Sequence, residues 1–172
     1  MYSYKEKVTL AGMIYMHRIS DIRMSGISRR NFRIFRKICG ENALTNVVFV
    51  TTMWDNLVDM EEGEARERNL QNMDGFFKDA LEKGAKMVRH ELQQDATKSA
   101  HEILRLIIAN RPLPLQIQQE LVDQKKPLAK TSAGEEVNRE LVTKLEKYED
   151  KVRKIQRKLQ GTFRSTIFLQ LK

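Results

Sequence analysis

The sequence predicts an α/β fold in which parallel strands alternate with helices and a long C-terminal helix follows. Three observations predict it. Val47-Val48-Phe49-Val50 is a short, unalternating apolar run, the pattern of a strand buried on both faces. Helical periodicity separates it from two other apolar stretches, which calls for crossover connections and hence a parallel sheet. Beyond Pro114 a heptad spacing replaces the earlier pattern.

Taken in order, the first strand is expected over Val8 to Met16, leaving through the polar His17-Arg18-Ile19-Ser20-Asp21. A helix follows from Ser28 to Cys39, with Ile27, Ile34, Phe35 and Ile38 on its apolar face and Gly40 as its stop. The second strand is the Val47 run. Glu61 to Lys83 reads as helix broken near Asp74-Gly75, with Leu70, Met73, Phe77, Ala80 and Leu81 inward and Gly84 as the stop. Ala85 to His90 is the third strand. Ser99-Ala100-His101-Glu102 matches a capping box, so a helix is expected to start there and to carry Ile103, Leu104, Ile107 and Ile108 as one stripe before Pro112.

Leu115 to Lys125 is a short amphipathic helix closed by Pro127, and Ser132 with Glu135 offers a second capping box. From Asn138 through Leu141, Leu145, Tyr148, Val152, Ile155 and Leu159 the gaps alternate between 3 and 4 residues, a heptad seam. The seam either packs on the α/β body or mediates self-association through residues 138–159, with Asn138 fixing the register. The expected organisation is an α/β half-domain over 1–111, a helical linker over 112–131, the heptad helix over 132–160 and a tail over 161–172 with no assigned role.

At 172 residues the chain can bury one real core. No apolar run approaches the roughly 20 residues that span a bilayer, and the start lacks the basic-then-apolar order of a signal peptide. One cysteine, Cys39, cannot make an internal disulfide, so a reducing, cytoplasmic compartment is expected. Its place on an apolar helix face predicts an inert thiol. The net charge of +8 gathers at Arg18, Arg23, Arg29, Arg30, Arg33, Arg36 and Lys37 and at Arg153, Lys154, Arg157 and Lys158. On the first helix these bases alternate with apolar positions, as on a solvated face, which argues against nucleic acid as the partner. His17, His90 and His101 lack metal-ligand spacing, and the acidic run Asp59 to Glu64 suits a helix amino end.

Open α/β sheets hold ligands at the carboxyl ends of their strands. There the chain reads Thr51-Thr52-Met53-Trp54-Asp55. A guanine base presents N1–H and its 2-amino group side by side, and one carboxylate accepts both. Asp55 is the candidate base reader, with Thr52 bracing the loop and Trp54 shielding or stacking on the base. The same residues also suit a local capping turn.

The order L-A-G-M-I-Y-M-H-R-I-S-D, R-N-F-R-I-F-R-K-I-C-G and N-V-V-F-V-T-T-M-W-D resembles a fungal family of P-loop GTPase-like proteins, the G-domain-containing proteins, which look related to septin-like and immunity-associated GTPases. The resemblance runs from about Tyr4 to Gln160 and includes A-K-M-V-R-H, S-A-H-E-I-L and S-A-G-E-E-V-N-R-E-L. It implies the C-terminal half of a Ras-like three-layer G domain over 1–111, with GTP or GDP as ligand. Against the family's Asn/Thr-Lys-x-Asp guanine motif, Thr52 takes the first place, Met53 the lysine's, Trp54 the free one and Asp55 the base-reading one. Met53 departs from lysine, whose stem covers the base. Arg89 and His90 match the last base-side loop loosely. A Gly-rich Lys-Ser/Thr phosphate loop and a magnesium-binding aspartate segment are absent from this sequence. The resemblance therefore implies a chain that begins inside the domain, has lost hydrolysis and leaves a sheet edge uncovered. The rival expectation is a non-catalytic coiled-coil scaffold, and a weaker third is a basic nucleic-acid binder.

Overall fold

The computed structural model describes residues 8–21, 26–90 and 92–170, with side chains described outside 92–95, 140 and 157–170. The chain divides into two units, residues 1–134 and 135–172.

The first unit is built on three parallel strands in the spatial order β1 (Met13–Arg18), β2 (Val47–Thr52) and β3 (Lys86–Arg89). Helix α1 (Gly26–Cys39) joins β1 to β2, and α2 (Met60–Asn72) and α3 (Lys78–Glu82) lie between β2 and β3. Helix α4 (Leu92–Ile108) follows β3. The expected α/β class is present. Strand β2 is central and buried at every residue, which is why its apolar run does not alternate.

Register sorts the side chains. Tyr15, Phe49 and Met87 lie abreast on one face, and Met16, Val50 and Val88 on the other. On the first face Phe49 stacks on Phe77 with centroids 4.2 Å apart, and Tyr15 and Phe32 meet Phe49 edge-on. Phe32, Phe35 and Cys39 of α1 join Phe76, Phe77 and Ala80 in this core. On the second face Ile103, Leu106 and Ile107 of α4 cover Val48, Val50 and Val88.

Helix ends follow local chemistry. Gly40 takes φ +73 just past α1, a left-handed stop that its amide completes by donating to Arg36 O at 2.8 Å. Asp59 caps α2 by accepting the Glu61 amide at 2.8 Å, with Glu61 and Glu62 in the first turn. The break near Asp74-Gly75 is observed between α2 and α3.

Several expectations are corrected. Strand β1 begins at Met13, not Val8, because β2 offers no partner before Val47; Leu10 makes an isolated antiparallel bridge to Leu113 instead. Helix α4 starts at Leu92, so Ser99 is no cap; its hydroxyl lies 2.9 Å from His90 Nδ1. Leu104 and Ile108 face outward, at 46% and 73% exposure, while Leu106 turns in. Ile27 is exposed as well, because the bulkier Phe32 and Phe35 set the rotation of α1.

Residues 112–131, expected as a linker, belong to the first unit. They carry α5 (Gln116–Gln118), which continues as a π turn over Gln119–Asp123. The expected long C-terminal helix is present: α6 spans Ser132–Gln170, past the expected end at 160, and supplies the second unit from Glu135 onward. Its cap is Thr131 rather than Ser132, with Thr131 Oγ1 accepting the Gly134 amide at 3.0 Å. The seam residues Leu141, Leu145, Tyr148, Val152 and Ile155 are exposed. Arg23 and the side chains of Leu159 and of residues 161–172 lie outside the described residues. Among the described residues no helix is long and apolar enough to cross a membrane.

Among the described residues nothing pairs with the outer edge of β1, where Ile14 and Met16 are 39% and 64% exposed. Stability should therefore be lopsided across the sheet. Phe49→Ala is expected to cost about 3–5 kcal/mol in urea unfolding. Met16→Lys should change it by less than about 0.5 kcal/mol while reducing aggregation.

Candidate functional site

The carboxyl edge of the sheet collects His17 from β1, Thr51 and Thr52 from β2, and Arg89 and His90 from β3 and the residue after it. Strand β2 leaves this edge through Met53, whose φ of 61 turns the chain sharply into a 3₁₀ turn over Trp54–Asn56. That conformation is uncommon for a residue with a side chain, so neighbouring contacts must hold it.

Trp54 supplies them. It is 2% exposed, and its Nε1 donates to Thr51 Oγ1 at 3.0 Å. Arg89 lies over the ring at 4.1 Å. Gly63 of α2 comes so close that a Cβ there would sit 3.1 Å from Trp54 Cζ3. Arg89 in turn donates through Nε to Glu67 Oε2 at 2.9 Å, and Thr51 Oγ1 donates to Glu67 Oε1 at 3.4 Å. One carboxylate thus ties β2, β3, α2 and the turn together. Trp54 is enclosed by the chain itself, so it braces the turn instead of presenting a face for a base.

The other expected residues occupy different environments. Thr52 is buried and donates to His17 O at 3.4 Å, holding β1 to β2. Asp55 is exposed, and its carboxylate is without a partner among the described residues. Arg89 is committed to Glu67 and Trp54, and His90 to Ser99. The structure therefore brings Thr52, Trp54, Asp55, Arg89 and His90 to one edge, with Asp55 the open acceptor. Glu67 carries no sequence signal for this role: it lies 22 residues before Arg89, and only the parallel pairing of β2 and β3 joins them. Burial against Phe76 and Phe77 lowers the pKa of His17, with Asp21 opposing. Cys39 is buried and its thiol is pushed up to about 12, so thiolate is scarce at neutral pH. Among the described residues no group of acids, histidines and cysteine is placed to hold a metal.

At the amino edge a cleft of about 330 Å3 is lined by Cys39, Gly40, Glu41, Gln116, Glu120 and Lys126. Glu120 is 3% exposed yet charged. Burial raises its pKa, but bonds from the Ser132 hydroxyl and amide, Lys126 and Gln116 outweigh that and leave it lowered. The Ser132 hydroxyl donates at 2.7 Å and its amide at 3.0 Å, so the carboxylate satisfies the first turn of α6.

Two measurements follow. Glu67→Gln should lose about 2 kcal/mol of stability, because the Arg89 charge loses its closest carboxylate at a site it shares with Trp54 and keeps the longer pair to Glu64 at 3.7 Å. Since the folded pKa of Glu120 is lowered, its contribution is present above about pH 4.3 and is lost as pH falls through the folded value. Glu120→Gln should therefore flatten the acid limb of a stability–pH curve measured by urea unfolding, relative to the wild type.

Compared with protein-family models, curated proteins and solved structures, the chain matches none.

Proposed function

We propose that the α/β unit is the base-binding half of a guanine-nucleotide-binding domain of the P-loop GTPase class, not hydrolytically competent by itself. The observation that carries this reading is Asp55: an open carboxylate on the turn directly after the central strand of a parallel sheet. Its two oxygens match the two adjacent donors of guanine. Sequential strands as neighbours, with α1 to α3 on one face and α4 on the other, fit half of a Ras-like three-layer domain. Trp54, Arg89 and Thr51 position the turn, Thr52 ties its strand to β1, and Asp55 reads the base. The lone buried Cys39 fits a cytoplasmic setting.

Two charge-assisted bonds supply roughly 3–6 kcal/mol before the costs of association, which are of similar size. Labelled GDP should therefore bind no tighter than about millimolar, or about 4 kcal/mol. Magnesium should not help, and Asp55→Asn should remove the binding. Micromolar, magnesium-dependent affinity, or binding indifferent to Asp55→Asn, would overturn the reading.

A second reading, a non-catalytic scaffold that self-associates through residues 138–159, is favoured by the exposed seam on α6. Five large apolar side chains, Leu141, Leu145, Tyr148, Val152 and Ile155, stand 49–64% exposed at heptad spacing.

A further inference from the structure

We propose that α6 pairs with a second copy of this chain as a parallel, in-register two-stranded coiled coil, in which Asn138 meets Asn138 of the other copy. The proposal rests on the reading of α6 as a self-association helix and adds orientation and register to it.

The charges that flank the seam decide the orientation. With Asn138, Leu145 and Val152 at a positions and Leu141, Tyr148 and Ile155 at d, the flanking g positions hold Val137, Lys144 and Lys151. The e positions hold Val142, Glu149 and Gln156. In a parallel pair each g residue faces the e residue five places on in the other helix. Val137 then meets Val142, Lys144 meets Glu149 on both sides of the dimer, and Lys151 meets the neutral Gln156. No like charges are opposed. Val142, 53% exposed, also gains an apolar neighbour.

An antiparallel pair using the same seam sets Leu145 against Ile155 and Tyr148 against Val152. It then places Glu149 beside Glu149 and Lys151 beside Lys151 of the other copy, two like-charge pairs at the centre. Asn138 would also lose its own counterpart. A single polar a-position residue costs stability and selects the register in which it meets itself. A second copy satisfies both requirements, because only an identical helix offers Asn138, Lys144 and Glu149 at matching heights.

The full-length chain tests this. Sedimentation equilibrium should show a dimer that dissociates on dilution, and Leu145→Asp should leave a monomer with unchanged near-UV circular dichroism. Under mild oxidation Asn138→Cys should be trapped as a disulfide dimer and Glu149→Cys should not; buried Cys39 supplies the background in the unsubstituted chain. Glu149→Lys should weaken the dimer roughly tenfold, and Lys144→Glu with Glu149→Lys should restore it. A wild-type chain that stays monomeric at every concentration overturns both this proposal and the self-association reading. A dimer trapped through Cys at 149 but not at 138, or unrestored by the charge swap, overturns the orientation alone.

Discussion

The stack of Phe49 on Phe77 is the contact from which the rest of the first unit follows. Phe49 sits mid-strand in β2, between Tyr15 and Met87 in the register, so whatever covers it also clamps both neighbouring strands. Phe77 reaches it because the helical stretch after β2 is interrupted between Asn72 and Lys78. The interruption lets two consecutive phenylalanines, Phe76 and Phe77, both turn fully inward. Phe32 then closes the cluster from α1 through contacts to Phe49, Phe76 and Phe77. Each such aromatic pair adds about 0.5–1.5 kcal/mol beyond its buried area. Strands β1 and β2, helix α1 and the segment between α2 and α3 are held by one group of rings.

With β2 fixed, the position of its carboxyl end is fixed too, and the turn after it inherits that rigidity. Thr51 belongs to both systems: it lies in the buried strand and its hydroxyl accepts the Trp54 indole proton. Trp54 is thereby folded back over the edge of the sheet, with Arg89 across its ring. The strained Met53 conformation is the consequence, and Asp55, next after the buried indole, is left pointing away from the core. The backbone that carries this carboxylate is fixed before any ligand arrives, which lowers the cost of binding.

Much of this was legible where one residue type has one physical use. The buried strand at Val47, the glycine stop at Gly40, the break at Asp74-Gly75 and the heptad spacing after Ser132 all read directly from local pattern. The misreadings share a cause. Ser99-x-x-Glu102 has the composition of a capping box, but the chain had already entered a helix at Leu92, and the hydroxyl serves His90. Ser132 has the composition of a cap, but the buried Glu120 takes its hydroxyl and leaves the capping to Thr131. Leu104 and Ile108 fit an apolar stripe but lie off the part of α4 that meets β2 and β3. At the candidate site the place of Asp55 just past β2 reads from position alone, whereas the contacts of Glu67 depend on tertiary pairing that no local spacing records.

The distribution of charge at that edge bears on how strongly a nucleotide would be gripped. The chain is basic overall, yet the arginines nearest the carboxyl edge are already engaged. Arg89 is held by Glu67, and Arg66 by Glu62 at 2.6 Å and by the Ile19 carbonyl at 3.1 Å. Arg18 lies 3.9 Å from Asp21. Turning any of these toward a phosphate would strip a partner from a carboxylate, which in the case of Glu67 is largely buried. Their role is to hold the turn, and that role competes with binding an anion. On the proposed reading, affinity then comes from the two acceptor oxygens of Asp55, a base-only grip that selects guanine without the electrostatic attraction that phosphates ordinarily provide.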